Sequence, residues 1–204
     1  HTGSMFSPVQ IACANPHVNI HTMQSLLNAS LDPSPLPTLV WRYRLLHITA
    51  MGTNVELARF FIDMFPQALV MTSNTGYLPI RLACISGSSG MVEELLCKGM
   101  QLFGDRSGLM QHKEDFYVQT ALQFACSNTR LSQRIVKRLC SATGVHSCEV
   151  LDGNLLHRAI KCNNLDVARF ILQNWPTSLH HTDEDRNLPL HLACSSESNE
   201  MICL

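Results

Sequence analysis

Apolar residues recur along this chain at helical spacing, in short bursts that polar or helix-breaking residues close. In the stretch Val55–Ile62, the apolar Val55, Ala58, Phe61 and Ile62 fall at i, i+3, i+6 and i+7, with Glu56, Arg59 and Asp63 on the opposite side. One apolar stripe and one charged face predict an amphipathic helix, which Pro66 ends. Leu165–Leu172 repeats the design nearly residue for residue and stops at Trp175 and Pro176. Ile20, Met23, Leu26 and Leu27 draw the same stripe within residues 18–28, and Met91–Leu96 makes a further helix that Gly99 is expected to stop. A shorter apolar helix precedes each of these. Leu45–Ala50, for example, leads into the turn Gly52-Thr53-Asn54.

The shorter helices share one string. Leu188-Pro189-Leu190-His191-Leu192-Ala193-Cys194 has close copies at Ser7–Cys13, Leu78–Cys84 and Thr120–Cys126, and looser ones at Arg44–Thr49 and Asn154–Ala159 that lose the proline and keep the histidine. The small residue near its end sets the register at Ala12, Thr49, Ala83, Ala125, Ala159 and Ala193, with steps of 37, 34, 42, 34 and 34 residues. Self-similarity at such a period predicts stacked supersecondary units rather than one globular core. Pro8, Pro79 and Pro189 suit the first helical turn, where a missing N–H costs nothing.

These strings resemble the T-P-L-H-x-A signature of the ankyrin repeat family, whose period is about 33 residues, and the resemblance covers nearly all of the chain. It implies an all-α solenoid of helix-turn-helix repeats joined by finger-like loops, about five and a half repeats in number. His1–Ser4 reads as a cloning remnant, and residues 5–204 as a single ankyrin-repeat domain. Its repeats lie near 6–38, 39–72, 73–114, 115–148, 149–182 and 183–204, the last incomplete. An apolar, unfinished end is expected of a piece of a longer protein.

Three places depart from the pattern. Pro33, Pro35 and Pro37 within Leu31–Pro37 favour an extended connection over a helix. The long step inserts residues within 100–114, where Gly104-Asp105-Arg106-Ser107-Gly108 reads as a turn. Either this is an insertion that a solenoid surface tolerates, or it is a partner-contacting finger. In the fourth unit Ala121 replaces proline and Ile135–Cys140 comes two residues late, which predicts a longer turn between its helices.

Composition changes this picture little. A net charge of −1 argues against a broadly basic nucleic-acid surface. The nine cysteines are odd in number and form no C-x-x-C pair. Cys13, Cys84, Cys126 and Cys194 recur just after the small residue, so buried reduced thiols in a cytoplasmic or nuclear protein are expected. No run of about 18 apolar residues spans a membrane.

Candidate chemistry is sparse. The signature histidines His47, His157 and His191 are expected, from the resemblance, to tie each first helix to neighbouring backbone rather than to catalyse. His180-His181 beside Asp183, Glu184 and Asp185 is the densest ligand cluster, yet adjacent residues of an extended turn point apart. Phosphate-loop, zincin and hydrolase-elbow motifs are absent, so neither an enzyme nor a cofactor or metal is expected. The resemblance implies a protein-protein interaction scaffold or adaptor that binds a protein or peptide through a concave face and finger loops. It places partner-binding positions at Trp41, Tyr43, Tyr77, Arg81, Phe116, Tyr117, Gln123 and Arg158. The alternative is a regulatory or targeting ankyrin domain of a larger enzyme or channel. Arg130, Arg134, Lys137 and Arg138 stand at i, i+4, i+7 and i+8, a possible basic patch if one helix carries them all. That face is either simply solvated or suited to an acidic peptide.

Overall fold

The computed structural model describes residues 7–29, 35–42, 44–103, 116–143, 154–196 and 198–204. Its helices are α1 Pro8–Ala14, α2 Ile20–Asn28, α3 Leu36–Arg42, α4 Leu45–Ala50, α5 Val55–Met64, α6 Pro79–Ser86 and α7 Ser89–Phe103. They continue with α8 Phe116–Ser127, α9 Gln133–Thr143, α10 Asn154–Lys161, α11 Leu165–Asn174, α12 Pro189–Ser195 and α13 Asn199–Ile202. Short 3-10 turns at Pro66–Val70 and Pro176–His180 follow α5 and α11.

Two layers result. The short helices α1, α4, α6, α8, α10 and α12 pack each on the next, and α2, α5, α7, α9 and α11 form a second row behind them. Each helix of the first row also packs on the helix that follows it, so the unit is the expected helix-turn-helix pair. The fold is an all-α ankyrin-type solenoid.

Local chemistry sets the helix boundaries. Ser7 and Gln10 form a reciprocal cap at the start of α1, the Ser7 hydroxyl accepting from Gln10 N–H and the Gln10 amide oxygen from Ser7 N–H. Pro79 and Pro189 open α6 and α12. Gly87 closes α6 in the left-handed region at φ 78°. Its missing side chain also matters, because a Cβ there would lie 2.8 Å from Asn128 Nδ2 and 2.9 Å from Arg130 Cβ of the next unit.

A recurring asparagine links unit to unit. Asn54 caps α5 by accepting from Leu57 N–H, and its Nδ2 donates back to Val18 carbonyl. Asn164 caps α11 at Val167 N–H and donates to the carbonyls of Cys126 and Asn128. Asn128 donates to Cys84 and Ile85 carbonyls at the end of α6 while its oxygen accepts from Arg130 N–H. Cys84, Ile85 and Cys126 lie in the last turns of their helices, where carbonyls have no partner within the helix.

The core runs unbroken between the layers. Leu57, Ala58, Phe61 and Ile62 are buried on α5, and Val167, Ala168, Phe170 and Ile171 on α11. Val55, expected inside, is only half-buried, and Leu57 takes the inner position. Ile11 on α1 is 62% exposed, whereas Val9 on the same helix is buried.

Two helix boundaries correct the sequence reading. Residues 36–42, opened by a Pro-rich stretch expected to be extended, form α3, which packs on α4 and α5. Pro37 sits in its first turn, where proline is compatible with helix. Gly99 does not stop the third long helix; α7 runs through it to Phe103, with Gly99 buried. A helical glycine costs about 1 kcal/mol relative to alanine, and packing against α5 and α9 outweighs it. The longer turn expected in the fourth unit is present at residues 128–132, between α8 and α9. The segment 104–115, which holds the glycine-flanked turn of the insertion, lies outside the described residues.

Cysteine burial follows position in the stack. Cys13, Cys84, Cys126 and Cys140 are buried, whereas Cys97, Cys162, Cys194 and Cys203 are exposed. Burial pushes the thiols of Cys13, Cys84 and Cys140 up to about 12, and raises Cys126 as well. Cys194, expected to be buried like its counterparts, is exposed on α12. Leu190, Ile202 and Leu204 are exposed on the same terminal unit.

Replacing Asn164 by Ala removes one cap and two back-donated hydrogen bonds, and is expected to cost about 2–3 kcal/mol. Asn164→Asp retains the cap acceptor but sets a buried carboxylate oxygen against the Cys126 and Asn128 carbonyls, and should cost at least as much. Urea unfolding of both variants measures this, and an Ala variant as stable as the parent would show that helix packing alone sets the stack. Native-state alkylation read by mass spectrometry should label Cys97, Cys162, Cys194 and Cys203 well before Cys13, Cys84, Cys126 and Cys140, since only an exposed thiolate reacts readily.

Candidate partner-binding site

Two of the signature histidines are structural ties. His47 is buried on α4 and donates Nε2–H to Met71 carbonyl at 2.9 Å, where the chain turns into the next unit. His157, buried on α10, donates in the same way to Asn187 carbonyl at 2.9 Å. His191 differs: it is exposed, and its Nδ1 accepts from Leu188 N–H at the start of its own helix. Burial lowers His47 from its ordinary 6.5 to about 4, against the opposing pull of the Met71 carbonyl, so it packs as the neutral ring.

The fingers are built by short side-chain acceptors. Ser73 Oγ accepts from Thr75 and Tyr77 N–H, with Gly76 at φ 76° closing the turn. In the last finger Asp183 takes the place of Ser73, accepting from Asp185 and Asn187 N–H, and Arg186 takes the left-handed position at φ 62°. Asp183 also meets Lys161 Nζ at 3.3 Å. The Asn187 N–H first, then the Lys161 ammonium, hold its carboxyl below the usual range. The Asp183 carboxylate of the His180–Asp185 cluster is thus engaged by the turn itself. Among the described residues no group of three His, Cys, Asp or Glu side chains is placed to hold a metal ion.

Tyr77, at the base of its finger, is half-buried against the core. Arg81, two residues into the short helix α6, lays its guanidinium 3.6 Å from the centroid of the Tyr77 ring and 5.0 Å from that of Phe124 on α8. It occupies the register position of His47 and His157, two residues before the small residue. Its Nε is buried without a hydrogen-bond partner. Phe124 was not singled out in the sequence, yet it is the half-exposed ring that completes the stack. No local signal locates it, because the same register place holds the exposed Ile11 and the buried Leu82. Gln123 lies beside it, half-exposed.

On α10, Arg158 shares Phe124's register and has a buried, unpartnered Nε. It lines a cleft of about 220 Å³ with Asn154, His157, Lys161 and the finger residues Asp183, Glu184 and Asp185. Asn154 Oδ1 and His157 Nδ1 in that cleft are also buried and unpartnered. The structure therefore places Arg81, Gln123 and Arg158 on consecutive short helices, with Tyr77 stacked on Arg81 from the finger that precedes α6.

The other positions fare differently. Trp41 lies on α3, and Phe116 and Tyr117 on the first turn of α8, rather than on fingers. Without proline or glycine from Phe116 to Gln123, nothing stops α8 from starting early. The side chains of Trp41, Phe116 and Tyr117, and all of Tyr43, lie outside the described residues.

The expected four-residue basic stripe is broken. α9 begins at Gln133, so Arg130 sits in the preceding turn. Arg134 Nε and Arg138 Nη1 lie 3.3 and 3.8 Å from the same Glu93 oxygen on α7. Between α5 and α7, Arg59 makes a two-pronged pair with Glu94 at 2.8 and 2.9 Å, and Lys98 meets Asp63 at 2.7 Å. The long-helix row thus neutralises much of its charge across repeat boundaries, at a gain of about 0–1 kcal/mol per exposed pair.

Residues 122–204 match the family model for ankyrin repeats, in three copies. Leucine-rich repeat serine/threonine-protein kinase 1 of Caenorhabditis elegans is 28% identical over 123 residues, a stretch that is 59% of this chain and 5% of that kinase.

Because the folded state depresses His47 below its unfolded value, its protonation favours unfolding. The stability that depends on the neutral ring is full above pH 6.5 and is lost as pH falls toward about 4. Urea midpoints across this window should fall with acidification, and His47→Gln should flatten the fall. A parent and variant with parallel profiles would remove His47 as its source.

Proposed function

We propose that this ankyrin-repeat solenoid is a non-enzymatic scaffold that binds a partner protein through its short-helix face and the adjoining fingers. One observation supports the reading above the others. Across α6, α8 and α10 the half-exposed Arg81, Gln123, Phe124 and Arg158 form an ordered surface of guanidinium, amide and aromatic groups. The corresponding long-helix charges are engaged with one another. Arginine and aromatic side chains at a partly exposed, rigid site are the usual anchors of protein interfaces. Tyr77, Trp41, Tyr43, Phe116 and Tyr117 extend this surface in the proposal, with a cytoplasmic or nuclear setting that suits the reduced thiols.

The kinase relative favours a second reading, in which the repeats regulate or position an enzyme or channel domain of a longer chain. Both readings use the same surface and differ in whether its partner lies in the same polypeptide.

The test compares affinity capture by the parent, by Arg158→Glu and by an outer-row variant carrying Arg134→Glu, Lys137→Glu and Arg138→Glu. Loss of specific partners with Arg158→Glu and their retention by the outer-row variant is the expected result. The reverse outcome would move the interface to the long-helix row.

A further inference from the structure

Within that proposed binding face, we infer that the partner is an acidic peptide segment, held by its carboxylates at Arg81 and Arg158. Three observations converge. First, the short helices α1, α4, α6, α8, α10 and α12 contain no Asp or Glu, whereas α5, α7, α11 and α13 carry Glu56, Asp63, Glu93, Glu94, Asp166 and Glu200. The long-helix row carries bases as well, and Arg59, Lys98, Arg134 and Arg138 pair with its acids. The short-helix row has Arg81, Arg158 and Lys161, with the finger residues Asp183, Glu184 and Asp185 sharing the Arg158 cleft and Asp183 engaged by Lys161 and its own turn.

Second, both arginines lack a carboxylate partner among the described residues, in contrast to Arg59, Arg134 and Arg138. The Nε groups of Arg81 and Arg158 are buried without a partner, which leaves the terminal nitrogens of each guanidinium to meet an incoming carboxylate. Lys161, the third cation of the row, is already engaged by Asp183.

Third, Arg81 is pre-set for the task. Held 3.6 Å from the Tyr77 ring and 5.0 Å from Phe124, its planar fork loses little freedom when a carboxylate docks. Guanidinium and carboxylate match in a two-pronged geometry that a lysine cannot reproduce.

The spacing of the two arginines defines the ligand further. Arg81 is on α6 and Arg158 on α10, with α8 packed between them. Neighbouring packed helices lie about 8–10 Å apart, which puts the two guanidinium sites roughly 20 Å apart. An extended chain advances about 3.3 Å per residue, so two acidic side chains about six residues apart reach both sites. The intervening residues pass over Phe124 and Gln123, so an apolar residue midway suits the Phe124 ring.

Panning a random-peptide display library on the parent protein tests this. Selected peptides should carry pairs of Asp or Glu about six positions apart, and a synthetic copy should bind Arg81→Gln and Arg158→Gln each roughly tenfold more weakly. Replacing either acid by its amide should have the same effect and, in combination with the matching arginine variant, no further one. Arg81→Lys, which keeps the charge and loses the stacked fork, should recover only part of the affinity. Circular dichroism melts of each variant establish that the fold is retained; Arg158, free of the aromatic stack, gives an independent readout if Arg81→Gln unfolds. Selected peptides without acidic enrichment, or acidic peptides indifferent to both substitutions, would overturn this inference and leave the protein-binding reading standing. Capture of proteins that Arg158→Glu does not diminish, together with the absence of any selected peptide, would overturn both.

Discussion

Each unit of this molecule depends on a backbone problem solved by its neighbour. A short helix ends with carbonyls that its own turns cannot satisfy, and in the described stack Asn128 and Asn164 reach back to supply the missing donors. The same side chains organise the turn or cap the helix that follows them. One residue therefore fixes the turn between two helices and the distance to the preceding unit. Gly87 belongs to this arrangement, because Asn128 approaches its backbone too closely for a Cβ. His47 and His157 provide a second link, from the short helix to the backbone leading into the next unit.

With stacking settled by these polar links and by the apolar core between the rows, the residues facing away from both are released from packing duty. Position matters more than residue type there. The register place that carries the exposed Ile11 at one end of the stack carries the buried Leu82, then Phe124 and Arg158 further on. Where the structural histidine would stand, Arg81 instead turns onto two aromatic rings. Substituting a scaffold position by a different chemistry leaves the stack intact and changes the surface, which is how a repeat array acquires a partner of its own.

Charge is divided along the same line. The long-helix row joins its acids and bases across repeat boundaries, through Arg59 with Glu94, Lys98 with Asp63, and Arg134 and Arg138 with Glu93. Those pairs are exposed and individually weak, but they occupy Arg134 and Arg138, two of the four cations that a linear reading marks as a binding stripe. The short-helix row has bases and no acids, and Arg81 and Arg158 have no ion-pair partner among the described residues.

The sequence by itself determined the helix pairs, their register and their order, because a stripe of apolar residues and a repeated small-residue mark are local properties that stacking must obey. The roles of His47 and His157 were legible through the resemblance of the repeated string to a known signature. Local signals misled where packing overruled them, at Gly99 inside α7 and at the Pro-rich entry to α3, since a helix anchored on two neighbours tolerates a weak residue. Only the tertiary structure decided that Cys194 is exposed, that Arg134 and Arg138 share Glu93, and that Arg81 lies between Tyr77 and Phe124. Those facts join residues 41 to 45 positions apart or depend on which neighbour is present, and nothing in the local pattern specifies which side chain the next unit will bring alongside.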